Sequence, residues 1–71
     1  MPSKYPILKP EEVIRRIEKA GFKYVSQKGS HRKYSDGNRS CIIPMHDEVA
    51  KGTLKSIISQ MGISLEEFLD L

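Results

Sequence analysis

The chain is short of the groups that build most active sites: in 71 residues it has one cysteine, two histidines, two phenylalanines and no tryptophan. A single thiol rules out an internal disulfide. Cys41, set in the apolar run CIIP, reads as a small buried hydrophobe and not as a nucleophile. His31, Cys41 and His46 have no compact ligand spacing, so no metal and no cofactor are expected. Glycine is too sparse for a phosphate loop, since QKGSHRK holds one glycine and leads into a strand pattern, whereas such loops open a helix. Long apolar runs are missing as well. None approaches the roughly 18 residues of a membrane-spanning helix. Residues 1–10 also lack the apolar stretch of a signal peptide, so a cytoplasmic protein without membrane contact is expected.

What remains is ordinary globular material. Hydrophobic residues make up 38% and charged residues 30%, outside the disordered regime, and a chain this short supports one core, so residues 1–71 are expected to form a single domain. KPEEVIRRIEKAGF carries Pro10 for the first helical turn, Glu11 and Glu12 at the positive end of the dipole, apolar Val13, Ile14 and Ile17 on one face, and Gly21 as a stop. FKYVSQK and HRKYS read as strands joined by a tight turn at Gly29 and Ser30, and DGN gives the strongest hairpin signal before a third strand, RSCIIP. GTLKSIISQMG spaces Leu54, Ile57, Ile58 and Met61 as one helical face, and Ser64 with Glu67 forms a capping box for a short helix carrying Leu65, Phe68 and Leu69. The expected architecture is an α+β two-layer sandwich, helix-strand-strand-strand-helix with a short C-terminal helix, both longer helices on one sheet face and the other face free.

Charge is concentrated on those strands. Residues 23–39 contain Lys23, Lys28, Arg32, Lys33 and Arg39 against Asp36, a local +4 in a chain of net +3, which leaves −1 for everything else. A localised basic patch suits a phosphate-bearing partner, because neutralising phosphates releases counterions; a solvated strand face explains it equally well. Within the patch, His31 follows the Gly29-Ser30 turn. Imidazole gives and takes protons near neutrality. Facing RNA, it would meet a phosphodiester whose 2′-hydroxyl is a built-in nucleophile, so one general base starts transesterification without a metal. A solvent-facing histidine with no such task is the alternative. Glu11 with Glu12 and Glu66 with Glu67 sit in first helical turns, where dipole and capping roles account for them.

QKGSHRKY, followed by IIPMH and KGTLKSIISQMGIS, resembles the HicA family of bacterial toxin ribonucleases over about residues 8–69. The resemblance implies a fold similar to the double-stranded RNA-binding domain and an mRNA interferase held inactive by a HicB-type antitoxin, which is expected to cover His31. It places the family's catalytic histidine on His31, with Gly29 and Ser30 as the presenting turn. Lys28, Ser30, Arg32 and Lys33 are read as RNA contacts beside it. His46 matches the family's Pro-x-His position and would serve as general acid, unless it is a loop histidine that hydrogen-bonds locally. Lys51 and Lys55, four apart on one helix face, are further candidate RNA contacts. Tyr24 and Tyr34 would either stack on bases or pack on their neighbours. Two other readings compete: a non-catalytic module binding double-stranded RNA, and a protein-interaction domain whose basic face receives an acidic partner.

Overall fold

The computed structural model describes residues 5–71. Residues 1–4, part of the stretch read for a signal peptide and of the span 1–71, lie outside the described residues. The elements are α1 (Pro10–Lys19), β1 (Lys23–Lys28), β2 (His31–Ser35), β3 (Ser40–Pro44), α2 (Lys51–Met61) and α3 (Leu65–Leu69). The α+β order expected from the sequence is therefore the one observed, consistent with a fold of the double-stranded RNA-binding type.

Helix α1 begins at Pro10, whose missing N–H costs nothing in a first turn, and ends where Gly21 adopts φ 97°, a conformation other residues resist. Val13 and Ile17 are fully buried, with Ile14 packed at the margin of the core. The three strands form an antiparallel meander in the order β1-β2-β3. Lys28 pairs with His31, so Gly29 and Ser30 alone make the first turn, with Gly29 at φ 60°.

The second turn is longer than its DG signal suggests. Ser35 pairs with Ser40, leaving residues 36–39 as the loop. The reason is the Asp36 side chain: its Oδ1 accepts the amides of Asn38 at 2.8 Å and Arg39 at 2.7 Å, and this closed turn keeps Arg39 out of β3. Those same amides hold the Asp36 carboxyl below its ordinary pKa.

Tyr34, Cys41 and Ile43 point from the sheet into a core completed by Leu54, Ile57, Ile58 and Met61 of α2 and by Leu65 and Phe68 of α3. Fully burying one such side chain is worth about 1.5–3 kcal/mol, which is why the apolar spacing of α2 sets its rotation. Leu69, expected in the apolar stripe of α3, is instead 39% exposed, because Leu65 and Phe68 at i and i+3 take the inward side of this single turn and a half. Ser64 and Glu67 form the expected capping box. Arg16 clips α1 to α3, donating from Nη1 to the main-chain oxygens of Leu69 at 2.8 Å and Leu71 at 3.1 Å while its guanidinium lies 5.7 Å from the Phe68 ring centre. Burial pushes the Cys41 thiol up to about 11, so it stays protonated, as an inert core residue would.

Both longer helices pack on β3, and every residue of β1 remains exposed. The helix layer thus covers one side of the sheet only in part. Among the described residues no helix is long and apolar enough to cross a membrane.

Candidate active site at the Gly29-Ser30 end of the sheet

Strand pleating sorts the basic stretch into two faces. Residues two apart on a strand share a face, and so do cross-strand partners. His31 with its partners Lys28 and Pro44, and Lys33 with its partners Ser26 and Ile42, therefore lie on the face turned away from the core. Lys28, His31 and Lys33 are exposed there. Ile42, 40% exposed, gives this face an apolar spot beside the cations. Lys23, paired with Ser35, belongs to the same face at its far end.

Arg32 does not. It shares the opposite face with Gln27 and Tyr34, and its Nε donates to Gln27 Oε1 at 3.0 Å. Tyr34 is buried and meets Tyr24 edge-on, with ring centres 6.0 Å apart, which places it in the core and leaves it no room to stack on a base. Arg39 sits at the other end of the sheet, with its guanidinium against Gly62; a Cβ at Gly62 would stand 2.6 Å from Arg39 Cζ. Of the five cations in the stretch, then, only Lys28 and Lys33 flank His31 on its own face.

The second histidine comes from the segment after β3. The amide of Met45 donates to the carbonyl of Ser30, which fastens that segment to the turn preceding His31. Asp47 then takes φ 47°, a left-handed conformation that aspartate tolerates better than most residues, and turns the chain away. The result sets the His31 and His46 rings with centroids 6.5 Å apart and planes at 86°. Both residues are exposed. Asp47 and Glu48, also exposed, are the acids nearest to His46 in the chain, and Asp36, at the other end of the sheet, is the nearest to His31.

Helix α2 runs antiparallel to β3, as two contacts near its end show: Gln60 Oε1 accepts the Ile42 amide at 3.2 Å, and Arg39 packs on Gly62. Its first turn therefore lies toward the histidine end. That turn carries Lys51, has no acidic residue and receives no side-chain cap from Ala50. Lys51 and Lys55 are both exposed. Among the described residues, no three histidine, cysteine, aspartate or glutamate side chains come close enough to hold a metal ion.

Chemically, two imidazoles on an open cationic surface can exchange protons with a polyanion laid across it. Gln27 had no assigned role from sequence. The signal was available in the register, because a two-residue turn at Gly29 and Ser30 forces Gln27 opposite Arg32.

Fold and surface together define a class, a small α+β domain of the double-stranded RNA-binding type with a histidine pair at one end of its free face. Residues 10–63 match the family model described as the HicA toxin of bacterial toxin-antitoxin systems. A curated protein of Pseudomonas fluorescens (strain Pf0-1), a probable mRNA interferase HicA, is 34% identical over 58 residues, covering 79% of this chain and 97% of that protein. The chain belongs to the HicA toxin family. The family match takes in α1 to α2 and stops before α3.

Proposed function

We propose that this chain is the toxin of a toxin-antitoxin pair and acts as a metal-independent endoribonuclease on mRNA. The observation that carries the reading is the approach of His31 and His46 to 6.5 Å on the face that also presents Lys28 and Lys33. The similarity to a probable mRNA interferase supports the substrate class.

In this mechanism His31 removes the proton of a 2′-hydroxyl, and the oxygen so activated attacks the adjacent phosphorus. His46 delivers a proton to the departing 5′-oxygen. One P–O bond forms and one breaks, leaving a 2′,3′-cyclic phosphate and a 5′-hydroxyl. Lys28 and Lys33 offset the charge that accumulates on the phosphorane oxygens. Ser30, Lys51 and Lys55 hold flanking phosphates, the last two from the N-terminal half of α2. A HicB-type antitoxin silences the enzyme by covering His31.

The test is cleavage of RNA by the purified protein and its His31→Ala variant. Loss of a general base costs about 10²- to 10⁴-fold in rate. His31 is exposed, so the variant keeps its fold and RNA affinity. A 2′-deoxy substitution at the cut position abolishes cleavage, and EDTA leaves it unchanged. Equal rates for variant and parent overturn the mechanism. A parent that binds duplex RNA with steep salt dependence yet leaves it intact is a binding module and not an enzyme.

A further inference from the structure

Arg32 carries charge in the middle of the basic stretch, yet the pleat turns it away from His31, and its hydrogen bond to Gln27 gives it a different task. Gln27 is occupied at both ends of its amide: Oε1 accepts from Arg32 Nε at 3.0 Å, and Nε2 donates to the main-chain oxygen of Gly29 at 2.9 Å. Gly29 is the first residue of the turn that delivers His31, and it sits at φ 60° in a two-residue connection with open space around it. The next residue, Ser30, accepts the Met45 amide that brings in His46.

From this relay we propose that Gln27 and Arg32 are positioning residues, which act from the back of the sheet by fixing the Gly29-Ser30 turn and so the mutual placement of His31 and His46. The inference rests on the ribonuclease reading for its effect on rate, though not for its effect on the turn. Without the relay, the Gly29 carbonyl loses its side-chain donor and the turn is held by the flanking strands and the Met45 amide on Ser30, and glycine is the residue with most conformational freedom to regain. Guanidinium is suited to the first step, because its planar Nε–H points along one direction and fixes which way the Gln27 amide faces; an ammonium has no such fork. Once the Gln27 oxygen is committed to Arg32, its NH₂ is left to face the turn.

Reaction rates fall steeply when reacting groups are displaced by fractions of an ångström, so loosening the turn lowers kcat on the order of tenfold. Arg32→Ala and Gln27→Ala are expected to lower kcat to this extent with KM unchanged. The double variant is expected to be no slower than either single one, since both break the same relay. Gln27→Glu keeps the acceptor for Arg32 but loses the donor to Gly29, and should behave as Gln27→Ala. Arg32→Lys retains charge without the planar fork and should not restore kcat.

Two readouts separate this from a phosphate contact and from failure of the enzymatic reading. Binding of RNA to the variants across a salt series should give the parental slope. A slope lowered by about 0.7–0.9, the loss of one phosphate contact, with KM raised and kcat intact, makes Arg32 an RNA ligand and overturns the proposal. Backbone ¹⁵N relaxation without RNA should show order parameters at Gly29 and Ser30 falling from about 0.85 in the parent toward 0.6 in Gln27→Ala and Arg32→Ala. Unchanged order parameters overturn the positioning role even if activity drops. Lower order parameters in a protein that never cuts RNA uphold the relay and reject the ribonuclease.

Discussion

The two hairpin turns of the sheet differ in what consumes their polar groups. At the turn of residues 36–39, Asp36 accepts two amides, Ser35 Oγ donates to the Arg39 carbonyl at 2.9 Å and accepts from Gly37, and the Arg39 guanidinium rests on Gly62. The hydrogen bonds there close the turn on itself. At Gly29 and Ser30 the bonding serves the opposite end: the relay from behind and the Met45 amide hold the backbone, while the side chains of Lys28, His31, Lys33 and His46 are left facing outward. In the sequence both turns look like glycine-containing hairpins flanked by cations. The contrast teaches that charge near a turn signals a binding site only where packing leaves that charge facing outward beside other functional groups.

Substitutions can break this contrast from either side. The largest effect in the comparison falls on His46→Ala, which should slow cleavage by about 10²-fold or more as the leaving oxygen loses its acid. A substrate whose 5′-bridging oxygen is replaced by sulfur needs no such proton, so it should restore most of the rate to His46→Ala and none to His31→Ala. Next in size, Lys33→Ala should reduce the salt slope of RNA binding by about 0.7 for single strands or 0.9 for duplex, whereas Arg39→Ala should leave the slope unchanged and lower Tm instead. Gly62→Ala, at φ 76°, should cost roughly 1–2 kcal/mol in denaturant unfolding with no loss of specific activity at temperatures where it is folded.

The smallest effect is a pH dependence at the structural turn. The Asp36 carboxyl is held below its ordinary pKa by the amides of Arg39 and Asn38. Its folded-state pKa is the depressed one, so its stabilisation is fully present above the unfolded value and is lost as pH falls through the folded value. Asp36→Asn should therefore lower Tm slightly at neutral pH and bring variant and parent closer together in acid. Thermal melts at neutral pH and in acid, below the ordinary carboxylate range, check both points.

Elements whose signals are local were legible in the sequence. Pro10, Gly21, the α2 spacing and the Ser64-Glu67 box each act within one or two turns of chain, and each gave the element it marked. The misreadings came from competition between local signals: the Asp36 carboxylate satisfied two amides and lengthened a hairpin that DG alone would close sooner, and the inward preference of Leu65 and Phe68 turned Leu69 out. Site geometry was less legible because it is not local. Grouping Arg32 with Lys28 and Lys33 follows from proximity in sequence, but alternation along a strand places neighbours on opposite faces. The convergence of His31 and His46 rests on the pairing of His31 with Pro44 and on the main-chain bond between Ser30 and Met45, which join residues far apart in the chain.

The central claim is that the histidine pair cleaves RNA through its own 2′-hydroxyl, and the chemistry of the ends records this directly. Mass spectrometry of the fragments released from a defined RNA by the purified protein should find a 2′,3′-cyclic phosphate on the upstream fragment and a 5′-hydroxyl on the downstream one. A 3′-hydroxyl paired with a 5′-phosphate would mean that water and not the 2′-oxygen attacked, and would contradict the roles given to His31 and His46.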